Sequence, residues 1–249
     1  SCVKTIGSAT TNMQGFSTNI NYFCDDATGQ LKDSRDSQVY TVGIITANNG
    51  GASKTLWMTR NIAIGCNGSG SPYGSGRKSD GVALTSANSN VTTSWNTSNA
   101  WNLNASSTQY TSDSTCKGST TSGCNSYTQA RMECSATYGA WNNYAAATAN
   151  TINTADNSTN AEKDICPSGW RLPSHSEISA AASNKTAFSP VTGGYYLGGT
   201  SNNAGNGHWW SNGAYGGTNR WYLNYNGSYL STLYNSRYYG LYVRCVRNS

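Results

Sequence analysis

The chain has 249 residues and a formal net charge of +5, with charged side chains at only 11% and aromatics also at 11%. That length holds one large domain or two small ones with a real core, and few charges beside many aromatics exclude a disordered chain, which needs the opposite balance. The 16 lysines and arginines are scattered, so nucleic acid is not an expected partner, and no apolar segment is long enough to cross a bilayer as a helix.

Eight cysteines, Cys2, Cys24, Cys66, Cys116, Cys124, Cys134, Cys166 and Cys245, form an even set with no Cys-x-x-Cys, and there are only two histidines. Disulfides in an exported protein are therefore expected, rather than a zinc site. No charged-then-apolar leader opens the numbering, so the numbered chain is expected to be soluble, its export signal or anchor already removed. Sequons at Asn67, Asn90, Asn96, Asn104, Asn157, Asn184 and Asn226 permit glycosylation in a suitable host. Chance alone also produces such triplets in so Asn-, Ser- and Thr-rich a chain.

Residues 1–30 carry Cys2 and Cys24 with few apolar anchors, and read as a lead-in tied down by a bridge; residues 31–249 read as one domain. Asp33, Ser34 and Asp36 make a turn, and Val39, Tyr40, Val42, Ile44 and Ile45 a β-rich run. NNGGASK is the next turn and LWMTRNIAI the next strand, giving a hairpin with a long tip. Around 67–125 the sequence is a Ser/Thr/Asn-rich insertion, within which Tyr73, Trp95, Trp101 and Leu103 are expected to pin the excursion to the body. Cys116 and Cys124 enclose a short Gly-containing loop that one bridge closes with little strain.

Gln129–Ala149 is the best helical candidate, with Met132, Tyr138, Trp141, Tyr144 and Ala145 near a helical period and Gly139 as a possible break. Pro167 and Gly169 form a turn before Trp170, and Ser174 with Glu177 fits a capping box opening a short helix. His175 then faces solvent in the first helical turn. His208, in a Gly- and Asn-rich loop, is a lesser candidate for ligand contact.

The C-terminal stretch Trp209–Val246 combines strand alternation with closely spaced Tyr, Trp, Asn and Arg. Alternation places Trp221, Leu223 and Tyr225 on one side and Arg220, Tyr222, Asn224 and Asn226 on the other. With the first set as core, the second faces water. Likewise Leu241, Val243 and Cys245 point one way, and Tyr242 and Arg244 the other.

The order KDSRDSQVYTV, LWMTRNI, YGAWNNYAAATA, DICPSGWRLPSHSEI, WWSNGAY and RYYGLYVRCV resembles the Fibrobacter succinogenes major paralogous domain family of bacterial secreted and surface proteins, from about Met13 to Val246. The resemblance implies an α+β, C-type-lectin-like fold, β-rich with two short helices, related to the formylglycine-generating-enzyme and variable-protein branch. It also implies that Cys166 pairs with Cys245. The family's usual Cys before Trp-Met-Thr is replaced here by Leu56, which makes Cys2 the replacement partner for Cys24. With Cys116 and Cys124 taken locally, Cys66 and Cys134 remain for each other.

Tyr presents a stiff amphipathic area at low entropic cost, while Ser, Gly and Asn adapt their hydrogen bonds, so the C-terminal face has the composition of a recognition surface. The candidate ligand-binding residues are Tyr215, Asn219, Arg220, Tyr222, Asn224, Asn226, Tyr229, Tyr234, Asn235, Arg237 and Tyr238. Of these, Tyr222, Asn224, Tyr229, Tyr234 and Arg237 are expected to share one patch whose rings add nothing to stability. The plainer alternative is that Tyr and Asn merely decorate a solvated sheet. The segment is also similar to the diversified C-terminal region of retroelement-encoded variable proteins.

No metal or other cofactor is expected. The Glu-Pro-Asn or Gln-Pro-Asp tripeptide of calcium lectins is missing, and Trp141-Asn142-Asn143 is not Trp-Asn-Asp. Catalysis is not expected either. Cys245 is the only Cys after Cys166, neither His has an evident nucleophile beside it, and acids such as Asp33, Asp36, Glu133, Asp164 and Glu177 lie mostly in turns. The sequence thus points to an extracellular or cell-surface binding module, adhesin-like, whose partner is a protein or glycan. Its alternative is a pilin-like or filament subunit that assembles with itself or attaches to a surface appendage.

Overall fold

A computed structural model describes residues 13–14, 28–33, 38–46, 54–64, 66, 89–90, 131–135, 138–148, 159–167, 169–197, 200–216, 219–237 and 239–248. These residues are β-rich, with one two-turn helix and two single helical turns, an α+β arrangement. The largest sheet joins β1 (Met13–Gln14), β2 (Thr28–Asp33), β3 (Val39–Thr46), β4 (Lys54–Met58) and β14 (Val246–Asn248) in that order. β2 begins inside the segment expected as lead-in and pairs with β3. The Asp33 amide donates to the Gln38 carbonyl where β2 hands over to β3, and β3 and β4 form the expected hairpin, with Val42 opposite Met58 and Thr46 opposite Lys54.

The region expected as a helix over 129–149 is instead a two-stranded pair, β6 (Arg131–Ser135) and β7 (Gly139–Asn142), followed by a single turn, α1 (Tyr144–Ala147). Gly139 decides this. It has φ +83, and a Cβ there would lie 2.7 Å from the Ile62 carbonyl, so the chain turns back against residues 61–62 instead of continuing helically. Ala140, Trp141 and Asn142 are then buried on both faces of their strand, and the spacing that resembled a helical stripe comes from residues of two strands and a turn.

β8 (Asp164–Pro167) pairs with β5 (Ser89–Asn90), and the expected turn follows, with the Trp170 amide donating to the Pro167 carbonyl. The helix α2 (His175–Ala182) opens on a complete capping box: Ser174 Oγ accepts from the Glu177 amide, and Glu177 Oε2 from the Ser174 amide. Arg171 grips the same carboxylate with both terminal nitrogens, at 2.8 and 2.6 Å. Burial pushes Glu177 upward, but Arg171 and the Ser174 amide outweigh it and hold the carboxyl below its ordinary value. After α3 (Lys185–Phe188), β9 (Tyr195–Leu197) and β10 (Thr200–Asn202) form a short pair.

A second sheet, β11 (Gly207–Tyr215), β12 (Asn219–Tyr225) and β13 (Leu230–Ser236), carries the Tyr- and Asn-rich sequence. The last segment stitches all parts together: Gly240 bridges Tyr196, Leu241 bridges Asn142, Tyr242 bridges Trp209 and Val246 bridges Arg171. Its alternation is as expected, but both sides are core. Leu241, Val243 and Cys245 enter one apolar cluster with Tyr40, Ile62 and Trp210, while Tyr242 and Val246 enter another with Trp57, Trp141 and Trp209.

Arg244, expected to face water, is fully buried beside this second cluster. Its guanidinium donates to Asn61 Oδ1, to the Phe188 carbonyl and to the Ser189 carbonyl, and lies 4.3 Å from the Phe188 ring centre. Asn61 Oδ1 also accepts from Trp209 Nε1 at 2.6 Å. Burial lowers the Arg244 pKa, yet the group stays a cation at neutral pH.

Cys166 and Cys245 form the expected disulfide, closing a separation of 79 residues. In the chain-entropy picture a loop of that length contributes about 4–5 kcal/mol. Cys66 is disulfide-bonded too. The expected pairs Cys2–Cys24 and Cys116–Cys124 lie outside the described residues, as does the side chain of Cys134.

Candidate functional site

Strand β12 organises the site because its two faces lead to two different surfaces. The register places His208, Asn224 and Ser231 across one row of the sheet, Trp210, Tyr222 and Leu233 across the next, and Ala214, Arg220 and Asn235 across a third. Those rows share one face. Trp209, Leu223 and Thr232, then Trp221 with Tyr234, then Tyr215, Asn219 and Ser236, share the other.

On the first face lies a cleft of about 230 Å³, lined by Tyr222, Asn224, His208 and Asn235 from the sheet, Asn203 and Asn206 from the β10–β11 turn, Tyr195 from β9, and Tyr239 with Leu241 from the last segment. The turn is held by the Asn206 carbonyl, which accepts from the amides of both Gly193 and Gly194, while Asn203 takes the left-handed conformation at φ 55 that asparagine tolerates. Tyr195 stands edge-on to His208 at 5.2 Å and 83°, and tilted against Tyr239 at 5.3 Å and 43°.

His208 is 4% exposed and its Nε2 has no protein partner. Burial pulls its pKa down to about 4, so the imidazole is neutral at physiological pH. Burial pushes Tyr222 up to about 12, with Tyr239 and Tyr195 adding to the effect, so that phenol keeps its proton.

The second face is covered by α2 at one end, where Ile178 and Ala181 pack with Trp209, Leu223 and Leu230. Beyond the helix N-terminus an aromatic ridge emerges. Tyr215 and Tyr234, from the two outer strands, stack at 3.7 Å and 15° while remaining 39% and 47% exposed. Trp221, between them on β12, meets both rings edge-on, at 4.8 and 5.8 Å. His175 stacks on Trp221 at 4.1 Å. It opens the helix as expected, but it lies against an indole, and burial lowers its pKa.

A bulge in β11 between Trp210 and Ala214 makes this contact possible. Ser211 Oγ donates to the Trp221 carbonyl, and the Asn212 amide to the Pro173 carbonyl just before the helix. Gly213 leaves little room for a side chain: a Cβ there would lie 3.3 Å from both His175 Cβ and Trp221 Cδ1.

The expected single patch is therefore divided. Tyr222, Asn224 and Asn235 belong to the cleft, and Tyr222, expected outside, is a buried wall of the first core cluster. Tyr215 and Tyr234 belong to the ridge on the opposite face, with Asn219 beside them, its Oδ1 accepting from Ser236 Oγ. Asn226 and Tyr229 sit in the β12–β13 turn: the Asn226 side chain accepts from the Ser228 and Tyr229 amides, and Tyr229 projects, 61% exposed.

Arg220 and Arg237 are not surface residues. Both are buried, Arg220 with its guanidinium 5.3 Å from the Tyr144 ring centre and donating to the Asn219 and Gly216 carbonyls. The reason is that their face of the sheet abuts the core around α1 and Trp210. Tyr238 lies outside the described residues.

Sequence reasoning assigned Trp221 to the core, although it is half-buried in the ridge, and left Tyr195, Asn203, Asn206 and Tyr239 out. Local pattern carries no signal for these four: Asn203 and Asn206 share one turn, but Tyr195 and Tyr239 reach it only through long-range bridges. Among the described residues no cluster of three or more His, Cys, Asp or Glu could hold a metal, and no helix is long and apolar enough to cross a membrane. Comparison of the chain with protein-family models, curated proteins and solved structures returned no match.

Proposed function

We propose that this chain is an exported, adhesin-like binding module that recognises a protein or glycan through its C-terminal sheet, with the Tyr215–Trp221–Tyr234 ridge as the contact surface. One observation carries the reading. Two tyrosines from non-adjacent strands stack on each other while both stay exposed, fixed by Trp221 and His175 beneath. Rigid aromatic groups held proud of a sheet lose little entropy on binding, and Tyr and Trp are the residues that most often dominate recognition surfaces.

The reading includes a C-type-lectin-like fold of the Fibrobacter succinogenes major paralogous type, supported by the last strand lying beside an early one, by a second sheet bearing the aromatic sequence, and by the Cys166–Cys245 bridge. The disulfide suits an extracellular site. It is a non-catalytic reading, in which His208 lines the cleft among phenols and carboxamides.

The second reading is a self-assembling subunit. It is favoured by β13, whose sequence LSTLYNS carries no charge and exposes Leu233 and Tyr234, and which pairs among the described residues only with β12. Solution sizing across a wide concentration range together with a glycan and protein array separates the two. A concentration-independent monomer that binds array targets, and loses them on Tyr234→Ala, is the outcome expected of a binding module. Growth into oligomers with no array target would overturn it.

A further inference from the structure

The cleft behind the ridge has a different chemistry, and the proposed function does not use it. Its walls are three phenols, Tyr195, Tyr222 and Tyr239, and four carboxamides, Asn203, Asn206, Asn224 and Asn235. No carboxylate, ammonium or guanidinium is among the described lining residues. Among the described lining residues an anion would meet no cation and a cation no anion, so each would lose water without a countercharge in return. A purely apolar ligand would strip water from these phenols and carboxamides without replacing their hydrogen bonds.

A ligand that suits this lining carries several groups able to donate and accept together, spaced around a compact body. Each carboxamide offers two donors and an acceptor with two lone pairs, and each phenol one donor and an acceptor. Vicinal hydroxyls on a saturated ring match that pattern, while the C–H faces of the ring suit the tyrosine faces. The volume, about 230 Å³, falls below the roughly 300–1,000 Å³ of drug-sized sites, which limits the occupant to one ring or to the end of a chain.

His208 is a second, independent pointer. It stands on β11 between Tyr195 and Tyr222, lines the cleft, and leaves Nε2 without any protein partner although the residue is only 4% exposed. A buried polar atom of this kind asks for a partner from inside the cleft. A neutral imidazole serves a hydroxyl in either tautomer, as donor or as acceptor.

We infer that the cleft is a metal-independent binding site for a single uncharged sugar ring, such as the terminal residue of a neutral glycan. The inference rests on the recognition reading only in treating the sugar as a ligand and not a substrate. The site lies on the opposite face of β12 from the ridge, so either can hold without the other.

The test uses the full chain with D-glucose, D-galactose, D-mannose and N-acetyl-D-glucosamine as probes, and D-glucuronate and inorganic phosphate as charged competitors. Binding is followed by saturation-transfer NMR and calorimetric titration, with and without a chelator. The expected result is saturable binding of at least one neutral sugar, insensitive to chelator and to both anions. Tyr222→Phe, which keeps the ring packed, and Asn235→Ala should each weaken it about tenfold, whereas Val39→Ala, on the distant five-stranded sheet, should leave it unchanged.

Absence of binding by all four sugars at tens of millimolar, in a chain whose circular dichroism is native, overturns the proposal. So does displacement by phosphate or glucuronate as effective as by sugar, or binding indifferent to both cleft variants. A chain that binds neutral sugar yet finds no ridge target on an array supports this inference while defeating the ridge reading.

Discussion

Both faces of the β11–β12–β13 sheet carry tyrosines, and those tyrosines end in opposite states. On one, Tyr222 and Asn224 are nearly removed from water and form the wall of a cleft; on the other, Tyr215 and Tyr234 stack in the open. Composition does not separate them. What separates them is what lies over each set of rings: the last segment, with β9 and the Asn203–Asn206 turn, over Tyr222 and Asn224, and the N-terminus of α2, through His175 on Trp221, beside Tyr215 and Tyr234. A tyrosine in such a sheet therefore reads as core, wall or contact surface according to the long-range strand placement around it.

The contrast is broken most severely by removing a buried member. Tyr222→Ala is expected to cost about 3–5 kcal/mol, the range for truncating a buried aromatic ring, measured by denaturant unfolding. Tyr234→Ala should cost no more than about 1 kcal/mol, the worth of an exposed aromatic pair. Equal costs would erase the distinction between the faces. Asn61→Ala strikes the opposite core: it strips the shared acceptor from Trp209 Nε1 and Arg244 Nε, and leaving a buried cation short of a partner should cost about 3 kcal/mol.

Next in size is the acid response of the cleft. His208 has a folded pKa of about 4, below its unfolded value near 6.5. Between those values the unfolded chain holds the proton and the native chain does not, so stability rises with pH across that window. It is complete above pH 6.5, falls as the pH drops, and is lost by about pH 4, for a total of about 3 kcal/mol. His175, also lowered, acts in the same direction nearer the surface. Glu177 is held below its ordinary value, so its contribution disappears only below the carboxylate range. Unfolding free energies measured from pH 4 to 8 should therefore flatten markedly in His208→Gln and only slightly in His175→Gln.

The smallest expected effect concerns the helix that supports the ridge. Glu177→Ala removes half the capping box and the Arg171 pair and should lower stability by about 1–2 kcal/mol. Because His175 opens that helix and stacks on Trp221, fluorescence of the indole should report the loosening. An unchanged spectrum would detach the ridge from the helix.

Periodicity in the sequence showed which residues share a face, but not which face is core. For Arg220, Tyr222 and Asn224, and for Tyr242 and Arg244, the period is right and the outward assignment wrong, because the side expected to face water is covered by other elements; Asn226, at the end of the same alternation, is exposed as expected. Arg244 illustrates this: a charge in an alternating strand ordinarily marks water, yet here three acceptors and two aromatic rings receive it. The capping box, the Pro167–Gly169 turn and the β3–β4 hairpin were legible because each is closed by neighbours in sequence. The cleft was not, since Tyr195, His208 and Tyr239 come together only through the Gly194–Gly207 and Tyr196–Gly240 bridges. The pairing of Cys166 with Cys245 came from family resemblance, since spacing alone left the connectivity open.

The central claim is that the exposed ridge recognises and the buried face supports. It is tested most directly by measuring target binding on a glycan and protein array and thermal unfolding side by side for the wild-type chain and the Tyr215→Ala/Tyr234→Ala double variant. The account predicts that array binding not competed by free monosaccharide, and so not running through the cleft, is abolished while the midpoint of unfolding moves by no more than about 5 °C. Binding retained, or a collapse of thermal stability matching that of Tyr222→Ala, would contradict it.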